Sequence, residues 1–438
     1  MSDAPSEPTR PISQYTSVTQ PLQYPTPGEP TPPKKRGGAG IVVLAAAVAA
    51  IVGGVSGAGI AVAVSNQNNS NTVASGSGAT SITVNDKKNA TAITAVAAKA
   101  SPSVVTINVS GGGEAGTGSG IVLTADGYVL TNTHVVTLDG AASKTTIQVE
   151  TNDGRLIAAK VVGTDPIDDL AVIKLQNVSG MQPAQFADSS KLNVGDMAIA
   201  IGAPLGLSGT VTNGIISALN RSITVASAAA PTGGDTSGGS GSSPFNFWNF
   251  GGGNGGTQSQ TTTASSTIAL SVIQTDAAIN PGNSGGALLD SSGRVIGVNC
   301  AIASAGSTSS STGQTGSIGV GFAIPSNAAL RIANDIIKNG SATHGLLGAS
   351  VEDVTTAGSA TSSTTVGAKI ASVTAGEAAF KAGIQAGDIV TNFNGVPITG
   401  ATDLTAQVRV LEAGTKASLT YVRGGKITET SVTLGQYK

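Results

Sequence analysis

Ser284 stands among glycines in Gly282-Asn283-Ser284-Gly285-Gly286, within the stretch QTDAAINPGNSGGALL at 274–289. A serine hydroxyl is a poor nucleophile. It needs a base beside it and backbone N–H donors aimed at the oxyanion that forms on attack. Glycines suit that demand, because a backbone without Cβ atoms can approach a bound carbonyl closely. The same five residues would also make an ordinary turn between two strands, so partners elsewhere in the chain must decide. The base is normally histidine, and the chain has 2, His134 and His344. His134 ends the alternating run YVLTNTHVV, where a side chain can be held at the mouth of a site, whereas His344 in the polar ATHG reads as a surface residue. A carboxylate should orient the imidazole and stabilise its charged form. Asp169 in DPIDDLAVIKL immediately precedes a buried-looking strand, while its competitors Asp165 and Asp168 read as turn residues.

The chain order His134, Asp169, Ser284 is that of chymotrypsin-like folds, not of subtilisin or the α/β-hydrolases. TNTHVV at 131–136, DDLAVIKL at 168–175 and TDAAINPGNSGGALL at 275–289 together resemble the HtrA/Deg family of serine proteases, over roughly residues 91–438. The resemblance implies a triad of His134, Asp169 and Ser284, with an oxyanion hole at the amides of Gly282 and Ser284, Asn283 lying between them. It also implies that Gly319, Val320, Gly321, Phe322 and Ala323 pair with the substrate backbone and help wall the primary specificity pocket. Ala278, six before the nucleophile, should form the base of that pocket. Beyond about residue 341 the resemblance is to a PDZ domain. Gly345, Leu346, Leu347 and Gly348 would receive a peptide's terminal carboxylate, 347–351 would be the edge strand, and 402–410 the helix across the groove.

The elements around these motifs read as a mainly β chain; the resemblance implies a chymotrypsin-like double β-barrel and then an α+β PDZ domain, and an N-terminal transmembrane helix is expected before them. Residues 1–36 are rich in Pro, Ser, Thr and Gln and cannot bury enough apolar surface to order, so a disordered tail is expected. Lys34, Lys35 and Arg36 precede an uncharged run at 37–64. As a helix its 39–64 portion would be about 39 Å long, more than the roughly 30 Å of a bilayer core. The basic cluster places the tail in the cytoplasm and the rest outside. A cleaved signal peptide, with Ala61 and Ala63 as a small-x-small site, is the rival reading. Residues 65–90 read as a flexible tether, 91–340 as the protease domain, and 341–438 as the PDZ domain.

Within the protease domain, a short helix near 90–100 is followed by strand signals about every ten residues. An amphipathic helix capped by Ser326 runs to Lys338 and stops at Asn339 and Gly340. An insertion at about 226–263 holds Phe245, Phe247, Trp248 and Phe250 among Gly and Ser, and is expected to be disordered. Its aromatic cluster reads as a lid or docking patch, or as a pin onto its own barrel. Cys300, the 1 cysteine of the chain, excludes an intrachain disulfide and is expected as a small buried residue. No Cys/His spacing suggests a metal and no cofactor is needed. A net charge of −2 gives no sign of nucleic-acid binding.

The resemblance implies an endopeptidase acting on unfolded or damaged exported proteins, with C-terminal peptides at the PDZ domain modulating it. A homo-oligomer is compatible with this, but 91–115 lacks the aromatic residues that lock trimers in the family, which counts against a standard trimer. The alternative of another class is a non-catalytic or latent envelope chaperone that keeps the fold without the activity.

Overall fold

Glycine-punctuated strand runs follow a short first helix, α1 (Ala92–Ala100), whose N-terminus is capped by Thr91 accepting the Thr94 amide at 3.2 Å. The computed structural model describes residue 85 and residues 89–142, 144–203, 206–227, 245–246, 266–301, 303–304, 319–354 and 365–437. The tail, the expected membrane span and nearly all of the tether lie outside the described residues, as do Phe247, Trp248 and Phe250. Among the described residues no helix is long and apolar enough to cross a membrane.

Six strands close a first barrel: β1 (Val104–Gly111), β2 (Glu114–Val122), β3 (Tyr128–Thr131), β4 (Thr146–Glu150), β5 (Leu156–Asp165) and β6 (Leu170–Leu175). A one-and-a-half-turn helix, α2 (Thr133–Thr137), follows β3. The second sheet contains β7 (Met197–Gly202), β8 (Thr210–Ser227), β9 (Phe245–Asn246), β10 (Ser266–Thr275), β11 (Ala287–Leu289), β12 (Val295–Cys300), β13 (Ala303–Ser304) and β14 (Gly321–Pro325). Pairing of β8 with β10 returns that sheet on itself, so that β9 and β13 hang outside the ring. Much of the expected insertion lies outside the described residues, but its two borders are strand, and the Phe245 backbone pairs with Val225 and Ser304.

Strand alternation explains how two barrels share one chain. In β6, Ala171 and Ile173 enter the first barrel's core while Leu170 and Val172 face the seam between barrels. In β7, Ala198 and Ala200 enter the second core while Ile199 and Ile201 join the same seam. Both runs are therefore nearly continuously apolar. Helix α3 (Ser326–Asn339) lays Ala329, Ile332, Ala333 and Ile336 onto the seam as well. Its first turn departs from expectation. The Ser326 hydroxyl donates to the Ala187 carbonyl at 2.7 Å and makes no cap, Pro325 occupying the cap position. At the other end Gly340 takes the left-handed conformation and its amide donates to Ile336 at 2.8 Å.

The PDZ domain follows with β15 (Gly345–Leu346), β16 (Ala349–Asp353), β17 (Ala368–Val373), α4 (Ala378–Lys381), β18 (Ile389–Phe393), β19 (Val396–Pro397), α5 (Ala401–Arg409), β20 (Lys416–Arg423), β21 (Lys426–Thr433) and β22 (Gly435–Gln436). Its main sheet runs β16-β17-β18-β20-β21, so among the described residues β16 is at one end with an edge unpaired. That edge strand begins two residues later than the sequence pattern places it. Leu346 is taken up in the small β15–β22 pair.

The seam predicts a stability effect. Ile332 is fully buried against both barrels, and Ile332→Ala should destabilise the fold by about 2–5 kcal/mol. A lowered urea midpoint with an unchanged slope is the expected outcome.

Candidate active site

The turn between β5 and β6 carries three acids in five residues, Asp165, Asp168 and Asp169. Asp169 has φ of 51°, a left-handed conformation uncommon for a residue with a Cβ. Neighbouring groups from the β3–α2 segment hold it there. The Asn132 side-chain amide donates to the Asp169 carbonyl at 2.8 Å, and the Thr133 amide to the same carbonyl at 3.2 Å. The Thr133 hydroxyl lies 3.1 Å from the Asp165 carbonyl and 2.7 Å from that of Leu170.

So anchored, the Asp169 carboxylate receives the His134 amide at Oδ1, 3.0 Å, and faces His134 Nδ1 through Oδ2 at 2.7 Å. A carboxylate only accepts, so Nδ1 carries the proton and Nε2 offers its lone pair. That is the tautomer a general base requires. Both residues are buried. Asp165 and Asp168 are buried too, but the carboxylate placed on His134 is that of Asp169.

Ser284 comes from the second barrel, on a loop built by close approach. Gly282 and Gly285 have φ of 96° and 81°. A Cβ on Gly285 would sit 2.2 Å from the Ser119 carbonyl, so only glycine fits. Ser119 ties the barrels together here. Its amide donates to the Ser284 carbonyl at 2.8 Å, its hydroxyl donates to the Gly282 carbonyl at 2.7 Å, and that hydroxyl accepts the Ala203 amide at 2.9 Å. Among the described residues nothing occupies the amides of Gly282 and Ser284, whereas the Asn283 amide donates to Asn280 at 2.9 Å. Asn283 therefore spaces the two donors and is not one itself.

The end of β12 reaches both halves of the site. The Ala301 amide donates to Ser284 Oγ at 3.1 Å, and Cys300 Sγ lies 3.8 Å from Asp169 Oδ2. Burial, then the Asp169 charge, push the Cys300 thiol well above its ordinary range, so it remains a donor to that carboxylate. Its burial matches the sequence reading. Its contact with Asp169 was not legible there, because the strand's return past the nucleophile is a feature of the fold.

The segment 319–323 needs correction. Phe322 and Ala323 pair with Gln274 and Ile273 on one side and with Cys300 and Asn299 on the other. With both edges used, their backbone cannot also pair with a substrate. Gly321 still borders the site, since a Cβ there would meet Ile279 at 2.5 Å. Gly319 and Val320 are exposed. Ala278 is half-buried, with its carbonyl taken by Thr212 Oγ1 at 2.9 Å. The nearby acid, Asp276, is exposed and accepts the Ile215 amide at 2.6 Å.

The PDZ groove between β16 and α5 encloses a cavity of about 220 Å³, bordered by Gly345, Leu346, Leu347 and Gly348 and by Thr224 and Ala269 of the second barrel. Gly345 donates its amide to Leu411 at 2.8 Å, which removes that amide from any carboxylate-binding role.

His344 is the largest departure from the sequence reading. It is 2% exposed. Its Nε2 lies 3.0 Å from Asp165 Oδ1, and its Nδ1 lies 3.0 Å from the Arg409 carbonyl and 3.4 Å from Asp168 Oδ2. The two supposed turn acids are thus buried partners of a supposed surface histidine. Burial alone would lower the imidazole's pKa, but hydrogen bonds to Asp165 and Asp168 outweigh it and push the value up to about 10. Burial, aided by repulsion from Asp168, raises Asp165.

Residues 118–298 match the trypsin-like peptidase domain and 345–434 the PDZ domain. A solved structure described as the HtrA-type protease AlgW with tripeptide superposes with a TM-score of 0.53 at 31% identity, over 78% of this chain and 97% of that one. The chain belongs to the HtrA family. Serine protease PepD of Mycobacterium tuberculosis is 41% identical over 327 residues, covering 73% of this chain and 61% of that protein. The periplasmic pH-dependent serine endoprotease DegQ of Escherichia coli is 39% identical over 322 residues, 73% of this chain and 59% of that protein. The chain thus spans about three-fifths of the length of these relatives.

The buried ions of this HtrA protein carry a pH prediction. The folded state binds the His344 proton more tightly than the unfolded chain, whose imidazole has the ordinary value of 6.5. Its contribution is therefore complete below 6.5 and is lost as pH rises through about 10. Asp165, raised from 3.8, acts with the same sign in a lower window. Urea midpoints of Ser284→Ala, chosen to prevent self-digestion, should fall between those limits, and the fall should shrink when His344→Gln is added.

Proposed function

We propose that the chain is a serine endopeptidase that hydrolyses unfolded polypeptides through an acyl-enzyme. The observation that carries this reading is the 2.7 Å pairing of His134 Nδ1 with Asp169, with Ser284 Oγ tied to the same strand end that reaches Asp169. For attack, the Ser284 hydroxyl turns from the Ala301 amide and gives its proton to His134 Nε2 as Oγ adds to the peptide carbonyl. The imidazolium is stabilised by Asp169. The oxyanion is received by the Gly282 and Ser284 amides, a donor of this kind being worth about 10²–10³ in rate. His134 then protonates the leaving amine, and water, activated by the same nitrogen, releases the acyl group.

In this reading residues 37–64 anchor the chain in a membrane with the catalytic and PDZ domains on the extracytoplasmic side. A peptide C-terminus in the groove beside β16 modulates cleavage. Support comes from the run of uncharged residues after Lys34, Lys35 and Arg36, and from the free edge of β16. The full chain in detergent should degrade unfolded casein, and Ser284→Ala should not. Asp169→Asn should retain its fold and lose on the order of 10⁴-fold in kcat. Casein cleavage that survives Ser284→Ala would overturn the proposal.

The primary pocket takes small or medium aliphatic side chains. Ala278 brings no charge to its base, and Asp276 spends its carboxylate on the Ile215 amide. A buried lysine or arginine would be left unpaired, which is costly. Sequencing the products from a peptide library should show cuts after Ala, Val or Leu. Cuts mainly after basic residues would contradict this specificity.

A further inference from the structure

We propose that His344 is a positioning residue for the catalytic carboxylate: from the segment leading into the PDZ domain it grips the Asp165–Asp168 turn and so fixes Asp169 behind His134. This inference rests on the hydrolase reading above and deepens it.

A left-handed aspartate at the start of β6 persists only where its surroundings over-determine it. Asn132, Thr133 and His134 supply six of the contacts already described. His344 adds contacts to the Asp165 and Asp168 carboxylates. Both imidazole nitrogens face acceptors, Nε2 the Asp165 carboxylate and Nδ1 the Arg409 carbonyl with Asp168 just beyond. Filling both acceptors requires a proton on each nitrogen. The ring is thus a cation between two buried carboxylates. Asp165 Oδ2 has no hydrogen-bond partner among the described residues, and Oδ1 also receives the Ile167 amide at 3.1 Å, so His344 is the side-chain partner that compensates this carboxylate.

The segment bearing His344 is itself held in register. A Cβ on Gly163 of β5 would lie 2.4 Å from the Gly340 carbonyl; glycine at 163 lets the end of α3 touch the strand two residues before Asp165. Arg331 of α3 then donates to the Thr343 carbonyl at 2.8 Å and to that of Val410 at 3.3 Å. The Gly345 amide donates to Leu411 at 2.8 Å. His344 is therefore placed by α3 on one side and by the end of α5 on the other. It touches no residue of the triad and acts through the turn. Without it, adjacent acids in one buried turn repel each other with no cation between them, and Asp169 shifts from His134.

The test uses the full chain in detergent with a short chromogenic peptide. A fluorophosphonate that labels Ser284 counts competent sites, and the low-field proton resonance of the His134–Asp169 pair reports on the hydrogen bond. His344→Ala should lower kcat per labelled site by about 10- to 100-fold, as expected of ångström-scale misplacement, and leave KM nearly unchanged. The low-field resonance should broaden or vanish. His344→Gln, which retains one N–H towards Asp165, should lie between Ala and the natural residue, and it serves as the readable variant if His344→Ala does not fold. Fewer labelled sites with undiminished turnover at each would make His344 merely structural and overturn the proposal. Activity removed by EDTA and restored by zinc would put a metal in place of the imidazolium, and would overturn it equally. An unmodified chain that neither labels nor cleaves would instead refute the hydrolase reading.

Discussion

The arrangement depends on one buried hydrogen-bonded pair, the Asp169 carboxylate with His134. A carboxylate taken out of water is costly unless its oxygens are filled, and here Oδ1 receives the His134 amide while Oδ2 faces Nδ1 and the Cys300 thiol. Because backbone and ring of one residue bind the same carboxylate, the imidazole has little freedom to turn. This rigidity is bought with a left-handed backbone at Asp169, and the polar residues of TNTH follow from it. Asn132 and Thr133 are buried because the turn needs donors from that side. Apolar residues at 132 and 133 would pack there, but would leave the Asp165 and Asp169 carbonyls without those donors.

The nucleophile belongs to the other barrel, so the site exists only while the two stay in register. Seam residues from β6, β7, β12, α1 and α3 supply the apolar burial that holds them. Burial of that kind is non-directional and does not by itself fix ångström positions. Ser119 adds direction. With donors and acceptors on Gly282, Ser284, Ala203 and Thr131, one residue of the first barrel locates the oxyanion loop of the second. The glycine at 285 is required by the same contact, since any side chain there would strike Ser119 and Thr131.

These facts were unequally legible in the sequence. The triad candidates could be read because His134 ends an apolar run, Asp169 begins one and Ser284 stands among glycines, so local pattern and chemistry point the same way. The strands could be read because short apolar runs recur between glycine and aspartate turns, even where both faces are buried and alternation is lost. His344 could not, since ATHG is locally polar and its burial is created by partners at 165, 168 and 409. Asp165 and Asp168 failed for the same reason: a DPIDD turn looks solvent-facing until another part of the chain covers it. Segment 319–323 fails differently. Its strand character is local, but which edges remain open depends on the order of strands in the sheet. Ser326 shows the same limit at small scale, a helix-capping residue type whose hydroxyl is drawn to Ala187 across the seam.

Among the described residues, two of the contacts between PDZ domain and protease differ in kind. Helix α5 meets β8 and β10 through neutral groups, Gln407 with Ser271 at 3.0 Å and Thr402 with Thr224 at 3.4 Å. Such bonds exchange readily for bonds to water and contribute about 0.5–1.5 kcal/mol each. The His344 cluster cannot exchange so easily, because separating it strands charges in a low-dielectric interior. A hydrophobic substitute could match its stability, but would not enforce one geometry so strongly. The root of the PDZ domain is therefore fixed to the turn that carries Asp169, while the groove face rests on the protease more loosely. The groove beside β16 is lined by Thr224 and Ala269 as well as by PDZ residues, so it borders the weaker contact and not the His344 cluster.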